Sequence, residues 1–251
     1  MRMAKSPHSP IFRKALESIS QGGILAPSIR SYLTEPKFDG FDIKIRGMNK
    51  RKHDNYFHPS THPIWSERAL YLYLTVPEAL GNGIDNPMSI FSMTAGTIWH
   101  EIIGHILKDE LGLLSELEIP VQCSETLSRG SMDGIVAGRD EIFEFKTARD
   151  TVVNRIKSVD DYINNHWNYY LQAQEYMRMS GYKKERVLVM GSTFPFDMRE
   201  FVIDFDPKTS ASVKEKYLRV REAVASGKNA PQCDGCSYVT YGCPAKLLCE
   251  N

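Results

Sequence analysis

No stretch of this 251-residue sequence approaches the ~18 consecutive apolar residues of a membrane helix, so a membrane protein is not expected. The opening Met1-Arg2-Met3-Ala4-Lys5-Ser6-Pro7 lacks the apolar region of a secretory leader, and an intracellular, cytoplasmic protein is the default. No internal repeat or low-complexity run occurs. Net charge is also missing: 31 Lys and Arg balance 31 Asp and Glu, which speaks against a uniformly basic nucleic-acid binder. Cysteine is absent until Cys123, and four of the five cysteines fall in the last 19 residues. So local a cluster in an intracellular chain points to a metal or an iron–sulfur centre ahead of disulfides. With 42% hydrophobic and 25% charged residues, the composition is that of a soluble globular protein, one large domain or two smaller ones.

The neutral total hides an asymmetry. Residues 1–60 carry 11 Lys and Arg against 5 Asp and Glu, and residues 101–150 carry 5 against 11. A carboxylate-rich centre for divalent cations with basic flanks for phosphates has this distribution, as does ordinary solvated surface charge. The early basic cluster Lys50-Arg51-Lys52-His53 reads as a solvated loop that can touch a phosphate backbone. Phe38 to Arg46 alternates as an edge strand does. Pro63 to Val76 reads as a helix, with Pro63 in its first turn and Pro77 as its stop.

Residues 94–110 form the clearest helical pattern. At 100° per residue, Ile98, Trp99, Ile102, Ile103, Ile106 and Leu107 fill an arc of about 180°, with His100 just past one border and His105 past the other. The near-match to His-Glu-x-x-His is a decoy. Zinc proteases stack histidines four apart on one face; here the spacing is five and the rings diverge by about 140°. His100, at a half-buried border, can reach a neighbouring sheet.

Residues 130–147 read as a hairpin around Gly138-Arg139-Asp140-Glu141. With Arg139-Asp140 as a two-residue loop, Asp133 lies opposite Lys146 and diagonal to Glu144, all on one face. Two carboxylates and an ammonium then converge. Oxygen ligands of this kind suit Mg²⁺ or Mn²⁺, and the lysine can steady a phosphate, a water or an oxyanion. A surface hairpin with cross-strand ion pairs has the same residues. Residues 117–127 lead into the sheet, with Glu118 and Glu125 as surface or structural carboxylates that can also sit near a metal. A helix over 160–180 stops at Gly181 and places Gln172 and Tyr176 on one face. Strands over 185–191 and 199–205, then a mostly basic helix over 207–227, complete the main body. In the tail, Cys233-x₂-Cys236, Cys243-Pro244 and Cys249 have the spacing of a tetrahedral zinc site or a cluster.

The order of these pieces carries a resemblance: Gly96-x₃-His100, Gly130-x₂-Asp133, Glu144-Phe145-Lys146-Thr147, Gln172-x₃-Tyr176 and a cysteine-rich end. As an ordered set, from Gly96 to Cys243, it resembles the RecB-type exonuclease branch of the PD-(D/E)XK nuclease superfamily, including its iron–sulfur members. The resemblance implies an α/β fold: a restriction-endonuclease-like core with a central mixed β-sheet flanked by helices and a C-terminal cysteine clasp. It implies a nuclease core over 91–228, a basic, helical region over 1–90 packed on it, and the clasp over 229–251. His100, Asp133, Glu144 and the backbone carbonyl of Phe145 would bind Mg²⁺ or Mn²⁺, Lys146 would orient the attacking water, and Gln172 and Tyr176 would support the site and the DNA strand. Iron–sulfur members place one cysteine ahead of the histidine helix, where this chain has none; Trp65 lies near that place and Cys249 would complete the set with Cys233, Cys236 and Cys243. A 4Fe–4S cluster is expected there, with Zn²⁺ as the alternative. The implied activity is metal-dependent DNA exonucleolysis, alongside a helicase or other recombination partner. A catalytically silent DNA- or partner-binding module and an endonuclease are the competing readings.

Overall fold

A computed structural model describes residues 23–34, 53–80, 87–193, 196–229 and 231. The expected strand over 38–46, the basic residues 50–52 and the four C-terminal cysteines lie outside these. Helix α1 (Leu25–Thr34) is followed by a 3₁₀ turn (His62–Ile64), α2 (Glu67–Thr75) and α3 (Pro87–His105), which runs into a π-type turn (Ile106–Glu110). Strands β1 (Leu114–Cys123), β2 (Ser128–Val136) and β3 (Ile142–Ala148) come next. Then follow α4 (Asp150–Val153), α5 (Val159–Asn165), α6 (Trp167–Ser180), β4 (Lys184–Gly191), β5 (Met198–Asp204) and α7 (Pro207–Ala225).

The five strands form one sheet in sequence order. Only β3 and β4 are parallel; the other pairs are antiparallel. The sheet is therefore mixed, and the parallel step is bridged by α4 to α6, as a parallel connection requires. Alternation along β3 sends Phe143 and Phe145 to one face, with α1 and α3. Ile142, Glu144 and Lys146 take the other, where Ile142 packs with Tyr170, Ala173, Tyr176 and Met177 of α6. A third cluster, Phe57, Leu70, Leu171, Val213, Tyr217 and Val220, ties α2 and α7 to the back of α6.

Three local features depart from the periodic reading. The helix over 160–180 is two helices, because His166 leaves helical conformation at φ −134°, ψ 50° and starts α6 afresh. Gly181, at φ 86°, ends it as expected. Pro63 lies in the separate 3₁₀ turn, and Ser66 caps α2 by accepting the Ala69 N–H. β1 begins earlier than the pattern suggests and bulges between Leu114 and Glu116. There the Glu116 carbonyl comes so close to β2 that a Cβ on Gly134 would stand 2.8 Å from it, which only glycine permits.

A candidate active site where two strands part

The hairpin forms with a different turn. Val136 N–H donates to the Glu141 carbonyl, so the loop is residues 137–140, and Gly134 pairs with Phe143. Asp133 is thereby level with Glu144 rather than with Lys146. A slip of two residues keeps every side chain on its side of the sheet, so the expected grouping survives the wrong register.

Beyond Gly134 the β2–β3 pairing ends. The Asp133 carboxylate takes over the ladder's work: Oδ2 accepts the Phe145 N–H at 2.8 Å. The strand also twists here. Met132 and Val136, four apart, would share a face of a regular strand, yet Val136 packs with the α3 layer and Met132 with the α6 layer. Asp133 lies at this crossing, open to both layers.

From the α3 side comes His100, whose Nδ1 stands 3.4 Å from Asp133 Oδ2 and whose ring meets Phe145 edge-on at 4.9 Å. His105 faces elsewhere, toward Asp109 and Glu110, as the five-residue spacing requires. Gly96 faces Thr147 with room for a Cβ.

From the α6 side comes Gln172, which donates to Glu144 Oε1 at 2.8 Å and offers Oε1 to Lys146 Nζ at 3.5 Å. Lys146 is also in direct ion contact with Glu144. Tyr176 lies one turn further along α6. Its ring lies under Gly130, where a Cβ would stand 2.9 Å from Cε1. Gly130 and Tyr176 are thus complementary packing partners beneath β2, three residues from Asp133. The aromatic ring that meets the lysine is Tyr169, with Nζ 4.8 Å from the ring centroid.

Burial sets the electrostatics. Desolvation lifts the Asp133 carboxyl to about 6, against the pull of Lys146 and the Phe145 N–H. Burial, then repulsion from Asp133, raises Glu144. Lys146 loses solvation too, but Glu144 and Asp133 outweigh that loss and raise it, so the ammonium is firmly charged. Burial lowers His100, favouring the neutral imidazole that binds metals. A carboxyl that sequence reasoning missed joins the group. Glu185 on β4 pairs with Ile142, is 2% exposed, is pushed well up by burial and then by Glu144, and has Oε2 without a hydrogen-bond partner. Its signal in the sequence was slight, one acid between Lys184 and Arg186 at the start of an otherwise apolar strand.

The donor set fits a hard divalent cation. Among the described residues, no hydrogen bond engages Asp133 Oδ1 or Glu144 Oε2, and a buried carboxylate beside a part-buried one is repelled until a cation compensates the two. Among the described residues no three His, Cys, Asp or Glu side chains already close on one point; Asp133 and Glu144 are linked through β3.

No protein-family model and no curated protein matches the sequence. Solved structures with a similar course of the chain include SSO0001, at 16% identity over 80% of this chain and 88% of that one, with a TM-score of 0.48. The alkaline exonuclease LHK-Exo from Laribacter hongkongensis is similar at 14% identity over 69% and 89% of the two chains, with a TM-score of 0.47. A phage-related exonuclease from Haemophilus somnus is similar at 11% identity over 64% and 81%, with a TM-score of 0.44.

Proposed function

We propose that the chain is a divalent-metal-dependent deoxyribonuclease of the RecB-type branch of the PD-(D/E)XK superfamily, acting as an exonuclease on DNA. One observation carries the reading: a charged lysine paired with the buried Glu144, with the part-buried Asp133 on the same patch where two strands part and a neutral histidine beside it. Structural ion pairs need no such crowding of like charge, whereas catalysis at a phosphodiester does.

Asp133, Glu144, His100 and the Phe145 carbonyl would hold Mg²⁺ or Mn²⁺, which when bound neutralises charge gathering on the scissile phosphate. Lys146 supplies fixed positive charge at the attacked phosphate and orients the nucleophilic water. Gln172 holds Glu144 and Lys146 in register, and Tyr176 supports the strand that carries Asp133. The clasp is proposed to be Cys233, Cys236, Cys243 and Cys249 around an iron–sulfur cluster, with zinc as the alternative.

Incubating the purified protein with linear and with closed circular DNA tests the reading. Linear DNA should be degraded with Mg²⁺ or Mn²⁺, stop being degraded in EDTA, and be cut at least 10²–10³-fold more slowly by Lys146→Ala, whose circular dichroism should match the wild type. Full activity in Lys146→Ala would overturn the scheme, and equal cutting of closed circles would make the enzyme an endonuclease.

A further inference from the structure

The Lys146 ammonium has three donors on a flexible four-carbon stem. Glu144 and Gln172 accept on two sides of it. The third contact is the ring of Tyr169, which belongs to no piece of the ordered motif set. Tyr169 and Gln172 are three apart on α6 and so lie on neighbouring flanks of the helix, which lets one helix present an amide and an aromatic face to the same Nζ. A ring attracts the cation as a whole through its quadrupole, so it can fix the ammonium without consuming the donor a phosphate oxygen would need. Tyr169 is itself held: His166 stacks on it with centroids 5.6 Å apart and planes 20° apart, and Tyr162 lies 6.5 Å away. His166 is the residue at which the helix restarts, so the break between α5 and α6 places the ring.

We propose that Tyr169 is a positioning residue for Lys146, acting through its ring and not through its hydroxyl. The inference rests on the nuclease reading for its effect on rate, while the contact between ring and lysine stands independently of it.

The experiment compares wild type, Tyr169→Phe and Tyr169→Leu, in kinetics on linear DNA and in NMR of ¹³C-lysine-labelled protein, with Lys146→Ala to assign the signal. A proton beside an aromatic face is shifted upfield by the ring current. The Lys146 ε-methylene signal should therefore be shifted upfield in wild type and Tyr169→Phe, and return to the ordinary lysine position in Tyr169→Leu. In kinetics, kcat should fall roughly 3- to 30-fold in Tyr169→Leu, the range of cation–π strengths from exposed to desolvated sites, with KM for DNA unchanged. Tyr169→Phe should restore kcat to within about twofold of wild type, the ring contact being unchanged. Tyr169→Met serves the same purpose should the leucine variant not fold. An unshifted Lys146 signal in wild type, an unchanged kcat in Tyr169→Leu, or a phenylalanine variant as slow as the leucine one would overturn the proposal. Absence of cleavage by wild type, with the upfield signal present, would sink the nuclease reading and leave the positioning contact standing.

Discussion

Asp133 and Glu185 both repel Glu144, the carboxylate that pairs with the Lys146 ammonium, and Glu185 is the member with least compensation. Its Oε2 is buried without a hydrogen-bond partner, and its carboxyl is pushed well above the ordinary range by burial and then by Glu144. An acid whose pKa is higher folded than unfolded binds its proton more tightly in the folded state, so it lowers stability as pH rises from the ordinary carboxyl value toward the raised one. Below the ordinary value the cost disappears. Glu185→Gln removes the charge and keeps the shape. In EDTA, its urea midpoint should exceed that of wild type at pH 8, by about 1 kcal/mol or more in unfolding free energy, with the gap closing toward pH 4. A gap independent of pH would show that Glu185 is compensated by contacts other than those seen.

At the scale of elements, the attachment of α1 depends on one carboxylate. Glu200 on β5 accepts the N–H groups of Ile24, Leu25 and Ala26 at 2.8, 3.0 and 3.0 Å, the donors that a helix start leaves unpaired. It also takes Arg186 Nη1 at 2.7 Å, while Arg186 Nε donates to Glu141 at 2.6 Å. The helix so held buries Leu25, Ala26 and Ile29 against the sheet. Glu200→Ala removes the acceptor of three amides and one of the two carboxylates that hold Arg186, Glu141 remaining, and should cost about 1–3 kcal/mol or more in chemical denaturation. Glu200→Gln, which keeps an acceptor, should cost less. Equal stability of the alanine variant and the wild type would mean that α1 is held by its apolar face alone.

Over the whole molecule, basic residues of α7 are engaged by the protein itself. On α7, Lys214 pairs with Glu125 at 2.8 Å, Lys216 donates to the Pro63 and Trp65 carbonyls, Arg219 pairs with Glu67 at 2.7 Å and Arg221 donates to the Glu125 carbonyl. These contacts lash α7 to α2 and to the β1–β2 turn. No helix among the described residues is long and apolar enough to cross a membrane. Cys123, the free cysteine among the described residues, is half-buried. Arg178 and Thr126 hold it, and although burial opposes the thiolate, their hydrogen bonds lower its pKa. It has no part in the proposed clasp. If the four remaining cysteines hold iron, the protein purified without oxygen should be brown, with broad visible absorbance that Cys236→Ser abolishes; a colourless protein containing one equivalent of zinc would replace iron by zinc in that proposal.

The sequence by itself determined which side chains could share a face. Periods of 2 and 3.6 are local properties of the backbone, so they assigned Glu144 and Lys146 to one side of β3, His100 to a helix border and Gln172 and Tyr176 to one flank of α6, and they survived an error of two residues in the hairpin register. Tertiary structure alone decided what lies opposite those faces. The parting of β2 from β3, the aromatic ring that Lys146 meets, the packing of Tyr176 beneath Gly130 and the burial of Glu185 all depend on residues distant in the chain. Spacing along one element cannot encode such distances, because they are set by how the layers pack against each other.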